Sequence, residues 1–252
     1  MGIVILTALG VGGATMLGGV VGFLFRNLSR RFSDLVLSFA AGVMLAASIL
    51  GLVLPGLALG GRLALLWSVG GIFSGALCMC CLERLIPHLH RLLGAQDGSI
   101  SEKARLNRVL LFVSAIAIHN LPEGLAAGVG FGTGDHAQAL LIAGGIALQN
   151  VPEGMVIIAP MLGAGINPQR TLLCALLSGM VEIIGTVLGY LAITVSVAIL
   201  PFALAFAGGT MLYVICDEMI PDTHAHGCGR SASWALLAGF CLMLVFDTIL
   251  GG

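Results

Sequence analysis

Eight apolar stretches follow one another through this chain, at about 2–25, 35–58, 63–86, 106–131, 137–161, 169–192, 194–219 and 231–250. A helix needs roughly 20 apolar residues to cross ~30 Å of hydrocarbon, and in lipid each backbone N–H and C=O must be satisfied within the protein. A series of such runs therefore predicts an all-α integral membrane protein with eight transmembrane helices, one domain over 1–252, solvated by the lipid bilayer. Composition agrees, with 58% of the 252 residues hydrophobic and 9% charged; the mean hydropathy of +1.09 is far from that of soluble domains. A net charge of −1 and the lack of a basic block offer nothing to nucleic acid. The first run has no positive leader or small-residue cleavage site before it, so it reads as a retained span. Six of the seven cysteines lie in or beside apolar runs and read as small hydrophobes.

The breaks between runs carry turn or polar signals: Arg26 to Asp34, Gly60-Gly61-Arg62, Pro87 to Arg105, Gly132 to His136, Ile166-Asn167-Pro168 and Pro221 to Arg230. The boundary near Ile199-Leu200-Pro201 is weakly marked. Alternate loops one, three, five and seven hold ten of the eleven Lys and Arg. By the positive-inside rule both termini lie outside, in a multi-pass protein of the cell (inner) membrane. The third loop, about 87–105, is then cytoplasmic; Arg84, Arg91, Lys103, Arg105 and Arg108 lie in or near it with His88 and His90, and its polarity predicts disorder.

Within the fourth and fifth runs sit two near-copies of one phrase, His119-Asn120-Leu121-Pro122-Glu123-Gly124 and Gln149-Asn150-Val151-Pro152-Glu153-Gly154, 30 residues apart. A charged side chain at the centre of a bilayer costs about 2.5–3.5 kcal/mol on insertion scales, and no Lys or Arg lies beside these glutamates to offset it. Residues four apart share a helix face, so His119 with Glu123 and Gln149 with Glu153 form chelating pairs. Residues three apart place Asn120 beside Glu123 and Asn150 beside Glu153. Each glutamate belongs to two faces, so the pair can bridge two neighbouring metal positions. Imidazole plus carboxylate suits zinc and its borderline relatives, while the other face offers amide and carboxylate oxygen. Pro122 and Pro152 free the Ile118 and Leu148 carbonyls and predict kinks in both helices, with Gly124 and Gly154 admitting another element closely. The alternative is a polar clasp in which Asn and Gln hydrogen-bond the helices together around a protonated glutamate.

Glu182, mid-way along the sixth run beside Ser178 and Gly179, is a candidate ligand for the oxygen-rich position. Met44 in the second run reads from sequence alone as packing. The end of the seventh run holds Asp217, Glu218, Asp222, His224, His226 and Cys228, a set that can hold a metal loosely where an inward-moving ion would emerge, or simply form a solvated helix end. Asp247 reads as interfacial. No His-Glu-x-x-His segment occurs, which argues against an intramembrane metalloenzyme.

These segments, with Ala41-Gly42-Val43-Met44, Glu182 and Leu212-Tyr213-Val214 leading into Asp217-Glu218 and Pro221, resemble the ZIP family of zinc and iron transporters, nearest its bacterial GufA-like branch. The resemblance covers all eight runs. It implies a transporter and not an enzyme, with no cofactor and with Zn²⁺ or another divalent ion (Cd²⁺, Fe²⁺, Mn²⁺) as substrate. It further implies import into the cytoplasm by alternating access, an elevator-like movement of a transport bundle against a scaffold, and a homodimer. A gated channel using the same ligands is the rival expectation. Carried over, one metal position uses Met44, His119, Glu123, Gln149 and Glu153, and its neighbour Asn120, Glu123, Asn150, Glu153 and Glu182. Many relatives have histidine where this chain has Gln149, so weaker or broader metal binding is expected at the first position.

Overall fold

The computed structural model describes residues 1–25, 29–92, 118–163, 165–227 and 229–250. All regular structure among them is helical. We number the helices α1 (Gly2–Leu24), α2 (Arg30–Leu59), α3 (Ala64–Leu92), α4 (118–130), α5 (His136–Gly163), α6 (Pro168–Val195), α7 (Leu200–His224) and α8 (Gly229–Leu250). Seven of them are long and apolar enough to cross a membrane. The remaining expected span, 106–131, lies partly outside the described residues, and α4 is its described part.

The local signals explain most boundaries. Ser29 caps α2 by accepting from the Phe32 amide at 3.2 Å. Asp135 accepts from the Ala137 and Gln138 amides to start α5, directly after Gly134 turns the chain at φ 78°. Asn167 caps α6 with Pro168 at its first position, the arrangement a helix start favours. Three expectations shift. Helix α2 begins at Arg30 and not 35, because the Ser29 cap lies upstream of the apolar run. Helix α3 continues to Leu92, so 87–92 is helical, and the rest of the expected 87–105 loop lies outside the described residues. Helix α6 runs to Val195 and α7 starts at Leu200, with Pro201 in its first turn, so Asp217 to Asp222 are helical. Pro122 and Pro152 both lie inside uninterrupted helical runs.

Two helices change pitch. Helix α2 passes through a π-helical stretch at Ala47–Val53, and α7 through another at Ile215–Met219.

The molecule is apolar outside and polar within. Leu6, Phe73 and Trp234 are 71%, 72% and 74% exposed, whereas Asn120, Glu123, Gln149, Asn150 and Glu182 are exposed by 1% or less. That distribution suits a lipid solvent, in which helices associate by close packing and not by hydrophobic burial. Helix α1 packs on α5 and α6, α2 on α8 and α5, and α3 on α7. Small residues line these seams. Gly12 of α1 meets Gly179 of α6, and Gly154 of α5 meets the α1 backbone at Thr15 to Gly19. On α4, Gly124 lies against the Glu182 backbone, while Gly185 of α6 faces Leu121 and Gly124. The helix axes come close enough there for short polar side chains to meet across them.

Candidate metal centre

Glu182 is the hub of the buried polar groups. Its Oε1 accepts from Asn120 Nδ2 of α4 at 2.5 Å and from Thr15 Oγ1 of α1 at 2.6 Å, while Oε2 accepts from Asn150 Nδ2 of α5 at 2.6 Å. Asn150 Nδ2 also donates to the Val11 carbonyl of α1 at 3.2 Å. Four helices therefore converge on one carboxylate. The glycine contacts set this geometry, since side chains as short as asparagine and threonine reach α6 only if the backbones approach closely.

Next to this hub, Gln149 Nε2 donates to Glu123 Oε1 at 2.7 Å, joining α5 to α4. Glu123 Oε2, Gln149 Oε1 and Asn150 Oδ1 are buried with no hydrogen-bond partner. Three unsatisfied oxygen acceptors on adjoining side chains are costly in a protein interior, roughly 1–3 kcal/mol each. They are also the atoms a cation would use. Glu123 lies within electrostatic reach of Glu153 and Glu182, and Glu153 within reach of His119 and Glu218.

The repeated phrases are split between two environments. Glu123, Gln149, Asn150 and Glu182 are sealed inside, whereas His119, Asn120 and Glu153 line a cavity of about 560 Å³. The cavity runs along Leu37, Val156 and Val214 to Asp217, Glu218 and Asp222 near the end of α7. His119 reaches across to the π-helical turn of α7, where its Nε2 lies 3.0 Å from Glu218 Oε1. Met44 is buried in an apolar cluster with Ala40, Ala126 and Ala127, and is not among the cavity's lining residues.

Of the residues expected at the end of α7, Asp217, Glu218 and Asp222 face the cavity. His224 turns elsewhere, its Nδ1 2.8 Å from the Ile220 carbonyl and its Nε2 3.1 Å from Ser233 Oγ of α8. His226 Nδ1 lies 3.4 Å from Asp34 Oδ1 of α2. Cys228 lies outside the described residues, as do the side chains of His88 and His90. Among the described residues no group of three or more His, Cys, Asp and Glu side chains stands at ligand spacing. Amide donors and the Thr15 hydroxyl, and not a cluster of acids and imidazoles, hold Glu123 and Glu182 in this arrangement. Thr15 and Asp34 were not singled out by sequence. A lone threonine in an apolar run carries no signal, and Asp34 sat at the edge of a polar break.

Residues 93–247 match the family model described as ZIP zinc transporter. The chain is 38% identical to the zinc transporter GufA of Myxococcus xanthus over 257 aligned residues, covering 100% of both proteins. It is 38% identical to the zinc transporter ZIPB of Bordetella bronchiseptica over 244 residues, 94% of this chain and 78% of that protein. Similarity extends to the human zinc transporter ZIP11, 33% identical over 325 residues, 95% of this chain and 94% of that protein. With more than half of its length matched by the family model and a relative aligned from end to end, the chain belongs to the ZIP zinc transporter family.

Proposed function

We propose that the protein imports divalent transition metal ions, Zn²⁺ first among them, into the cytoplasm by alternating access through two adjoining metal positions in the midst of its helices. ZIP proteins are transporters, and the chain is not an enzyme. Zinc is the cargo that the relatives' names carry. The observation that supports the reading most is the cavity, which joins His119, Asn120 and Glu153 to Asp217, Glu218 and Asp222 while Glu123, Gln149, Asn150 and Glu182 stay sealed behind. By the asymmetry of Lys and Arg between alternate loops, the open end faces the cytoplasm.

Helices α1, α4, α5 and α6 share the Glu182 hub and so form one polar-tied body. Helices α2, α3, α7 and α8 pack through α2 on α8 and α3 on α7. We read the first group as the moving bundle and the second as the scaffold of a homodimer. His119 to Glu218 then crosses from bundle to scaffold at the mouth of the exit path. An arriving ion exchanges amide donors for ligands: Asn120 and Asn150 turn their oxygens inward, and Glu123 and Glu153 supply the shared charge. On the cytoplasmic side it is handed from His119 and Glu153 toward Glu218, Asp217 and Asp222. Gln149, an amide where imidazole would bind zinc more tightly, lowers the affinity of the first position and eases release.

The test is uptake of radioactive zinc and cadmium into proteoliposomes by the wild type and by Glu153→Ala. Saturable uptake that Glu153→Ala abolishes is expected. Equal transport by both would remove Glu153 from the site, and a non-saturating, temperature-insensitive flux would favour a channel.

A further inference from the structure

We infer that Thr15 of α1 sets how Glu182 meets a metal ion, and through it which divalent ion the site prefers; this rests on Glu182 belonging to the metal site proposed above. The Thr15 hydroxyl is out of pattern. Serine and threonine in helices commonly return their proton to a carbonyl of their own preceding turn. Ser48, Thr186, Thr210 and Thr223 do so, onto the carbonyls of Met44, Glu182, Ala207 and Met219. Thr15, buried at 1% exposure, donates instead across the helix interface to Glu182 Oε1 at 2.6 Å. The carbonyl it would otherwise use, that of Val11, accepts from Asn150 Nδ2.

The three donors on Glu182 are not equivalent when a cation arrives. Asn120 and Asn150 can each reverse their amide by a half-turn about the Cβ–Cγ bond, replacing a donor with an oxygen ligand at the same place. Thr15 need not move. Its hydroxyl keeps one lone pair of Oε1 engaged and fixes the plane of the carboxylate, while reversal of Asn150 opens Oε2. Glu182 then binds an ion through a single oxygen. Zinc, small and satisfied by about four ligands, accepts that arrangement. A larger ion such as Cd²⁺ gains from more oxygens and from carboxylates that bind through both. Thr15 thereby biases the site toward the smaller ion.

Purified wild type, Thr15→Ser, Thr15→Val and Thr15→Ala are titrated in detergent with Zn²⁺ and with Cd²⁺ by calorimetry, and the ratio of the two affinities is read. Valine and alanine should raise Cd²⁺ over Zn²⁺ by about five- to tenfold, a part of what a hydrogen bond to a charged group is worth. Serine should keep the wild-type ratio. A ratio unmoved by Val and Ala, moved toward zinc, or moved as much by Ser overturns the proposal. Should neither donor-free variant elute as folded protein, infrared difference spectra of wild type against Glu182→Gln, with each ion bound, decide the matter. A carboxylate splitting typical of one-oxygen ligation supports the role of Thr15, and a two-oxygen splitting with zinc overturns it. A wild type that binds neither ion overturns the metal-site reading along with this one, whereas an unmoved ratio in a protein that binds zinc overturns this one alone.

Discussion

Replacing Gln149 with leucine removes the donor that Glu123 Oε1 relies on while keeping nearly the same volume. In the wild type that bond is 2.7 Å long and both residues are exposed by 1% or less, with Glu123 Oε2 already unpartnered. Leucine would therefore leave both oxygens of a buried carboxylate bare. Gln149 is neutral, so the loss is that of a donor and not of an ion pair, and a buried acceptor stripped of its donor costs about 3–5 kcal/mol when it carries charge. One term opposes this: the amide also takes away the unpartnered Gln149 Oε1, a relief of about 1–3 kcal/mol. The balance is a destabilisation of about 2 kcal/mol, which for a chain of this size lowers the unfolding midpoint by roughly 4–8 °C. Intrinsic fluorescence of Trp67 and Trp234 during heating in detergent reads the change, with all samples run at one scan rate because such unfolding is governed by rates. The double variant Glu123→Gln, Gln149→Leu supplies the control, since removing the charge should recover most of the loss. A Gln149→Leu protein as stable as wild type, or a double variant no more stable than the single, would refute the claim that Gln149 is the donor on which the buried Glu123 depends.

Gly124→Val should uncouple α4 from α6, because a Cβ at that position would already stand 2.9 Å from the Glu182 Cα and the branched side chain extends further. Overpacking of this kind costs about 1–3 kcal/mol or more, so zinc uptake should fall at least about tenfold in protein that still reaches the membrane, and near-normal uptake would show that the close approach is dispensable. Glu218→Gln removes the negative charge that faces His119 across the cavity, leaving a neutral acceptor in its place. For a part-exposed pair worth about 1 kcal/mol, maximal uptake should fall roughly fivefold with little change in half-saturating zinc, and a change confined to half-saturation would assign Glu218 to binding instead of release.

Seven membrane helices were legible because hydropathy over 20 residues is a sum, insensitive to any one side chain, whereas caps such as Ser29 moved a boundary that hydropathy alone does not place. The polar residues that meet inside the bundle stood out by type, since glutamate, asparagine and proline recur in register within apolar sequence. The contacts between helices were not. Spacing within one helix places His119 beside Glu123 and Gln149 beside Glu153, and the structure adds hydrogen bonds between helices, from Gln149 to Glu123 and between His119 and Glu218. Spacing along a helix says which side chains share a face; only the rotation and depth of neighbouring helices say which faces meet. Glycines such as Gly124 and Gly185 set those approaches, and each looks in sequence like one of 37. Thr15 was hidden for the same reason, its importance lying in what α6 brings to it.

The π-helical turn at Ile215–Met219 carries Asp217 and Glu218, both on the cavity wall. An α-helix advances about 100° per residue, so a wide turn that holds one residue more than an α-turn sets everything beyond it out of phase with everything before. The aim of these two carboxylates is therefore a matter of winding as much as of residue type. Tightening α7 by a single residue would swing Glu218 by about a quarter-turn or more relative to His119 without changing either side chain. The proposed exit path would thus carry a rotational adjustment in its backbone, and a residue inserted or lost within this stretch of α7 would act on it as directly as a substitution at Glu218.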